Sequence, residues 1–299
     1  MSKPANMREP RPSSAPVAAP GFGRTFVKTL QNLSPIGKSA LGYLLVIYFV
    51  VIVAPWFLQH SPTATNPLNV TQPASAQHWL GTDELGRDEL ARLVSGGRIT
   101  LTIGLAAMSI AVVIGGILGS IAGFFGGKAE YIIMRIVDMM LSIPAFFLIL
   151  IEITSFGNSP PVVIIAVGIT YWPQMARVVY AEVLKWRNSS LVEAEVTLGA
   201  SPWRILFRHV VPQTFSSIIV LATLGIGWAI LAESSLSYLG LGIQPPFASW
   251  GNMLQNSQSY IWTSPVLAIY PGVLILLTVL AFSLLGEAMR DVLDPKLKR

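Results

Sequence analysis

The 299-residue sequence contains no cysteine and only three histidines, and charged residues make up just 12% of it. The absence of cysteine excludes disulfide frameworks and thiolate chemistry. The histidines, His60, His78 and His209, lie far apart in the sequence, without the ligand spacing of a metal site. Soluble domains carry about 25% charged residues, so half that fraction leaves too little polar side chain to cover a water-exposed surface. The chain is therefore predicted to fold in a lipid bilayer.

Signatures of catalysis are missing as well. The sequence contains no nucleophile elbow and no zincin motif. Gly37-Lys38-Ser39 looks like the end of a phosphate-binding loop, but Asn32 stands where that motif requires glycine, and no strand precedes it. We therefore predict no catalytic residue, no metal site and no bound cofactor in this chain. An intramembrane enzyme would need a paired acid or a metal-ligand constellation, and none is visible.

Six apolar stretches approach the length of about 20 residues that a membrane-crossing helix needs. The predicted fold is therefore all-α and polytopic, with six transmembrane helices. The predicted spans are residues 37–58, 99–124, 132–154, 161–181, 214–237 and 265–287. Residues 1–36 are polar and rich in proline and alanine, which predicts a disordered tail before an uncleaved first span. The remaining divisions are a loop at 59–98, a five-helix core at 99–287 and a tail at 288–299.

The distribution of lysine and arginine predicts the orientation. Seventeen of the 20 fall in the N-terminal tail, the second-to-third connection, the fourth-to-fifth connection and the C-terminal tail. The other three, Arg87, Arg92 and Arg98, lie among acidic residues in the 59–98 loop. Cytoplasmic loops carry the excess of basic residues, so both termini are expected in the cytoplasm. Because the net charge of +5 is spread over the polar connections, it does not indicate a nucleic-acid-binding face.

Glycines recur every fourth residue along the second predicted span, at positions 115, 119, 123 and 127. On a helix this spacing forms a smooth stripe, which favours close approach of a second helix. We interpret it as a packing surface and not as a ligand site.

Charged residues within or near the spans are costly, so each is a candidate functional residue. Arg135 and Asp138 are three positions apart and are predicted to pair with each other. Glu152 and Glu233 lie towards the ends of their spans, where a structural contact and a place on a transport pathway both remain open. Asp138, Glu152 and Glu233 are therefore the candidate pathway residues.

The connection at about 186–212 is more strongly specified than a simple linker. Ser190 and Glu193 have the spacing of a capping box, so a short helix should begin there, with Leu191, Ala194 and Leu198 on one face. Gly199 is expected to end it in the left-handed conformation. Ser201 and Pro202 then predict the start of a second helix that runs to Pro212. An amphipathic helix lying on lipid headgroups is the alternative interpretation.

This connection resembles the EAA loop of ABC-importer permeases, whose pattern is E-A-A, three residues, G, nine residues, I-x-L-P. Glu193, Ala194, Gly199 and Pro212 match the pattern, and three positions depart from it, Glu195, His209 and Val211. Three further segments are similar to C-type permeases of dipeptide, oligopeptide and nickel importers. They are HWLGTDELGRD at 78–88, ESSLSYLGLG at 233–242 followed by SWG at 249–251, and RDVLDP at 290–295.

The resemblance implies a type I ABC importer permease core in a bacterial inner membrane. It implies a second homologous permease chain, two cytoplasmic ATPases that bind ATP and Mg²⁺, and an extracytoplasmic solute-binding protein. The residues it assigns to the ATPase-coupling loop are Glu193, Ala194, Gly199, Ala200, Ser201 and Pro202. Peptides are the implied cargo, although nickel and other solutes are open. The competing hypothesis is a proton-coupled secondary transporter that relays protons through Asp138, Glu152 or Glu233.

Overall fold

The computed structural model describes residues 30–293, and within that range the regular structure is helical, with one isolated β-bridge between Thr82 and Asp88. Ten α-helices occur in this part of the chain. They are α1 (Pro35–Val53), α2 (Glu89–Phe125), α3 (Gly127–Leu141), α4 (Ala145–Phe156), α5 (Pro160–Arg187), α6 (Ser190–Thr197), α7 (Pro202–Ile205), α8 (Val211–Tyr238), α9 (Trp250–Ser257) and α10 (Val266–Leu293). Short 3₁₀ turns occupy Ala54–Trp56, Pro67–Asn69 and Gln258–Tyr260.

Five helical stretches among the described residues are long and apolar enough to cross a bilayer. They are Pro35–Trp56, α2, α5, Pro202–Tyr238 and α10. The all-α, multi-spanning fold predicted from the sequence is therefore confirmed. A helix satisfies its own backbone hydrogen bonds, which is why an apolar sequence of this kind forms helices in lipid.

The third predicted span is broken. Residues 132–154 were expected to form one helix, but α3 and α4 meet at 88°. Pro144 supplies the physical reason, because proline cannot donate a backbone hydrogen bond and disfavours the helical conformation of the residue before it. The last turn of α3 closes instead on Ser142, whose N–H donates to the Asp138 carbonyl at 3.0 Å. Counting the bent pair as one span gives six.

Helices α7 and α8 are joined end to end, which the sequence did not indicate. A second short helix was expected to end at Pro212, yet Pro202–Tyr238 is one continuous helical stretch. Its turn at Leu206–Val210 is a wider π-type turn just before Pro212. Because the proline ring crowds the carbonyl four residues earlier and lacks an N–H, widening the preceding turn lets the helix continue past it.

Helices α2 and α5 pack side by side and run in the same direction. An added Cβ at Gly115, Gly119 or Gly123 would lie 2.4–2.8 Å from a backbone carbonyl oxygen of α5, so the two backbones touch along this stripe. The predicted close approach is confirmed for these three glycines. Gly127 differs, because it has a φ of +57° and starts α3 with nothing within 4 Å of its Cβ position.

Different connecting segments lie at the two ends of the helical bundle. Residues 57–88, before α2, lie at the end that we call the far end. The segment between α5 and α8 lies at the opposite end, the near end, where α2 finishes at Phe125. Helix α8 packs against α2 and α10, and α1 packs mainly along α10.

The glycine stripe generates a test with an internal control. Gly119→Ala is expected to lower the free energy of unfolding by about 1–3 kcal/mol, because the added methyl group overpacks the contact with the Ala176 carbonyl. Gly116 is on the same helix with open space around its Cβ position, so Gly116→Ala should be neutral or stabilising by up to about 1 kcal/mol. Thermal unfolding of the purified variants in detergent measures both. Equal stability of the two variants would contradict the packing described here.

Candidate functional site

The segment between α5 and α8, residues 188–210, forms a folded helical hairpin, which we call the hairpin segment. Helix α6 ends at Thr197, and Gly199 takes the left-handed conformation with a φ of +78°, as predicted. The Gly199 N–H donates to the Val196 carbonyl at 3.0 Å, and the Ala200 N–H donates to the Glu195 carbonyl at 3.0 Å. This pair of bonds is a Schellman motif, which satisfies the last carbonyls of α6 and reverses the chain.

The expected capping box at Ser190 and Glu193 is wrong by one residue. Ser189 is the N-cap, and the Glu193 N–H donates to the Ser189 carbonyl at 3.2 Å, while neither serine hydroxyl caps the helix. Two adjacent serines left the boundary ambiguous, and Ser190 lies inside the first turn. Ser201 occupies the predicted N-cap position before Pro202, again without a capping bond from its hydroxyl.

The inner side of the hairpin segment is fixed to the membrane helices. Val192, Ile205, Leu206 and Val210 are all buried, and they share one apolar cluster with Val183 of α5. An amphipathic helix floating on headgroups would leave these side chains in lipid. The hairpin segment is instead an extension of the helical core and packs directly on α5 through this cluster.

The two arms of the hairpin segment are joined by a polar contact that the sequence did not predict. His209 Nε2 lies 3.4 Å from Glu195 Oε1, and both side chains are 23% exposed. Glu195 and His209 are two of the three positions that depart from the EAA pattern. The two residues that differ from the pattern therefore contact each other across the hairpin segment. Gly199 and Pro212 keep the spacing of the pattern.

The outer side of the hairpin segment is apolar and exposed. Leu198 is 81% exposed at the turn, and Ala194, Val196, Trp203 and Phe207 are also exposed. Leu191, which was expected on the same face as Ala194 and Leu198, is partly buried. Large apolar side chains clustered on a folded surface are typical of a protein interaction site.

Aromatic rings connect this surface to the end of α2. The Trp203 ring lies 4.7 Å from that of Phe125 and stacks on Phe207 at 5.8 Å, measured between centroids. Phe124 contacts Phe125 edge-on at 5.3 Å. The hairpin segment therefore contacts both α2 and α5, the two helices that meet along the glycine stripe.

The structure places the three candidate pathway residues on three different helices. Asp138 of α3 pairs with Arg177 of α5. The predicted pair with Arg135 is therefore wrong. The reason is packing, because α5 lies against α3 and brings Arg177 close to the Asp138 carboxylate. Glu152 is partly buried on α4, beside Thr170 of α5. Among residues 30–293, no hydrogen bond or ion pair joins Asp138, Glu152 and Glu233 to one another.

Glu233 lies at the far end in a fully buried hydrogen-bond network. Its carboxylate accepts bonds from the hydroxyls of Ser237 at 2.7 Å, Thr100 at 3.2 Å and Ser234 at 3.3 Å. Thr100 Oγ1 in turn accepts the Trp250 N–H at 3.2 Å. The network therefore ties together α2, α8 and the start of α9, and these contacts are those of a structural junction.

Residues 57–88 fold over the far end through a second polar cluster. Buried Asp83 accepts a hydrogen bond from Arg87 Nε at 2.6 Å and forms an ion pair with Arg92 Nε at 3.0 Å. Arg87 also donates to Glu84 at 2.7 Å. Arg87 and Arg92, which lie among acidic residues in the sequence, are thus in direct contact with them. The sequence could not show that both arginines share one carboxylate.

Comparison with known proteins supplies the family. Residues 115–299 match the family described as the binding-protein-dependent transport system inner membrane component. The oligopeptide transport system permease protein OppC of Bacillus subtilis is 40% identical over 265 residues, 88% of this chain and 87% of the relative. The glutathione transport system permease protein GsiD of Pectobacterium atrosepticum is 43% identical over 226 residues, 76% and 75% of the two chains.

A nickel transport system permease protein, NikC of Escherichia coli K12, is 36% identical over 261 residues, covering 87% of this chain and 94% of the relative. Among solved structures, an inward-facing conformation of the MetNI methionine ABC transporter aligns with a TM-score of 0.56 and 20% identity. The alignment covers 68% of this chain and 97% of that one. At that identity the likeness concerns the fold.

The buried network at the far end generates a second test. Ser237→Ala removes a donor to Glu233 and the acceptor of the Ile243 N–H, which lies 3.0 Å from the hydroxyl. Leaving these partners unsatisfied should lower the free energy of unfolding by about 1–3 kcal/mol. Ser235 is the matched control, because it is exposed and its hydroxyl bonds only to the Leu231 carbonyl of its own helix. If thermal unfolding finds Ser235→Ala as destabilised as Ser237→Ala, the network does not have the structural importance given to it here.

Proposed function

The chain belongs to the family of inner-membrane components of binding-protein-dependent transport systems, and from that premise we propose that it imports peptides with energy received through the hairpin segment. It is the transmembrane permease subunit of an ABC importer of the peptide type. Partner ATPases and a solute-binding protein are general to that family. The cargo, the route of coupling, the partner chain and the orientation are our proposals.

The proposed cargo is a di- or oligopeptide. Relatives that align over most of this chain are named for oligopeptide, dipeptide and glutathione transport, and one is named for nickel. Three of these four solutes are peptides, which supports the choice. In the proposed system the solute-binding protein selects the peptide, and this chain supplies half of the path across the membrane.

The hairpin segment is proposed to be the receiver of force. The observation that carries this proposal is its two-sided construction, with Val192 and Leu206 buried against the membrane helices while Leu198 is 81% exposed at the turn. The exposed side would bind a cytoplasmic ATPase, and the buried side would carry the movement into α5. A flexible linker would absorb such a push, whereas a capped helical hairpin with a packed inner face transmits it.

In the proposed cycle the chain binds no nucleotide of its own. ATP and Mg²⁺ bind to two partner ATPase subunits, which close on each other and pull or push the docked hairpin segments. Because α5 touches α2 through backbone contacts at Gly115, Gly119 and Gly123, the two helices would move as one body. Rigid-body movement of such helix pairs changes which side of the membrane is open.

A second, homologous permease chain is proposed to complete the pathway. Large apolar side chains are exposed along α3, α4 and α8, among them Ile132, Met139, Phe147, Ile151 and Trp228. These surfaces suit either lipid or another helical chain, and a pathway for a polar peptide needs walls on both sides. The bend between α3 and α4 lies on this exposed part of the bundle.

The orientation is also a proposal. Arg204 and Arg208 are exposed on the hairpin segment, and the charge pattern of the connections puts that side in the cytoplasm. The far end, with residues 57–88, would then face outwards in the bacterial inner membrane, and both termini would be cytoplasmic.

Reconstitution separates this proposal from a proton-coupled transporter. Proteoliposomes that contain the permease pair, the ATPases and the binding protein should take up a labelled peptide only with ATP. The purified chain alone, given a pH gradient, should take up none, because no polar chain of contacts links Asp138, Glu152 and Glu233 in the described part of the protein. Uptake driven by the gradient without an ATPase would overturn the proposal.

A matched pair of substitutions tests the turn of the hairpin segment. Asparagine and aspartate both tolerate the left-handed conformation of Gly199 and differ mainly in charge, and nothing lies within 4 Å of the Cβ position. Gly199→Asp should reduce ATP-driven uptake by about tenfold or more, because an unpaired carboxylate would be buried against the ATPase. Gly199→Asn should keep most of the uptake, and the two variants should unfold at similar temperatures. Wild-type uptake by Gly199→Asp would exclude the turn from the docking surface.

A further inference from the structure

The loop at the far end brings two histidines and an aspartate together. His60 and His78 are distant in the sequence, but their ring centroids lie 4.7 Å apart. One ligand atom from each of His60, His78 and Asp88 lies within 4.8 Å of the other two. We infer that these three side chains form a binding site for a divalent transition-metal ion such as Zn²⁺. No metal site was predicted from the sequence, because the spacing of residues 60 and 78 does not show that they meet in the fold.

Two of the three ligands are already fixed in position. Asp88 is the N-cap of α2, and its Oδ1 accepts the Ala91 N–H at 2.8 Å while Oδ2 lies 2.9 Å from His78 Nδ1. The Asp88 side chain is 5% exposed and that of His78 is 12% exposed. Hydrogen bonds of this kind hold the Asp88 carboxylate and the His78 ring in place before an ion arrives, and a metal site needs ligands that are oriented in this way.

His60 is the third ligand and is exposed to solvent. Its Nε2 lies 3.0 Å from the Gln77 carbonyl oxygen, to which it can donate a hydrogen bond. That bond leaves the Nδ1 lone pair free for an ion. Histidines that bind metals commonly donate their other N–H to a backbone carbonyl in this way.

The separations are close to those that an ion requires. Bonds of about 2.0–2.2 Å to nitrogen and oxygen place ligand atoms roughly 3–4 Å apart in a tetrahedral site. The pair from His78 and Asp88, at 2.9 Å, needs to open slightly, and the exposed His60 side chain needs to turn inwards. The ion would take the place of the hydrogen bond between His78 Nδ1 and Asp88 Oδ2. His78 would then bind it as a neutral imidazole that keeps its proton on Nε2.

Space remains for a fourth ligand. A cavity of about 200 Å³ borders His60 and is also lined by Ser95 and Arg98. Imidazole and carboxylate ligands suit Zn²⁺, and three protein ligands leave one position for water or an anion. The cationic Arg98 in the same cavity favours an anionic fourth ligand.

The bound ion would link the loop that follows α1, which carries His60 and His78, to Asp88 at the start of α2. This attachment lies at the end of α2 opposite Phe125 and the hairpin segment, so the site is separate from the proposed ATPase contact. Metal binding can therefore be measured without a transport assay. Its result does not depend on whether the proposed function is correct.

The test uses the full-length chain in detergent, purified without a histidine tag, and Zn²⁺ as the probe in calorimetric titration. The wild-type chain should bind one equivalent of Zn²⁺, seen as a single saturable transition in the heat. His60→Gln should weaken binding by at least about tenfold, since even loss of an outer-shell partner typically costs ten- to a hundredfold. His209→Gln removes the one histidine of the near end, leaves the same number of histidines, and should bind as the wild type does.

Two results would overturn the inference. One is wild-type binding no tighter than that of His60→Gln, and the other is equal weakening by His209→Gln. X-ray absorption of the zinc-loaded wild-type chain gives a second answer that needs no variant. Two imidazole ligands at the metal support the site, and one or none contradicts it.

Discussion

Backbone contact between α2 and α5 is the constraint on which the rest of the structure depends. Three glycines on α2 let the helices approach until a Cβ would meet a carbonyl oxygen at less than 3 Å. Above this contact, Thr100 ties α2 to Glu233 and the start of α9. At its other end, the Phe125 ring contacts that of Trp203 in the hairpin segment at 4.7 Å. Helix α2 therefore connects the polar junction at the far end to the surface that we propose meets the ATPase.

Much of this architecture could be predicted from the sequence, because in lipid a long apolar run has few alternatives to a helix. The conformation of Gly199 was also predictable, since a local turn depends on local residues. The break at Pro144 was missed because hydropathy averages over a proline, and the boundary at Ser189 was misplaced because two serines compete for one cap.

Pairings between distant segments could not be predicted. Asp138 was assigned to Arg135, its neighbour on the helix, but Arg177 from α5 takes its place. Glu195 and His209 looked like two unrelated departures from a motif, whereas the fold makes them partners across the hairpin segment. The histidines at 60 and 78 were dismissed on their spacing, and the loop closes that distance. In each case the missing information is tertiary contact, which a single sequence does not contain.

The central claim is that residues 188–210 receive movement from a separate ATPase, and the absence of cysteine makes a direct measurement practical. With Leu198→Cys as the only thiol in this chain, a short bifunctional cross-linker should join the chain to an ATPase subunit in the assembled transporter. ATP-driven uptake should stop while the link is intact and recover when it is cleaved. Failure to form that link, together with labelling of the same cysteine by an impermeant reagent added outside intact cells, would contradict the account.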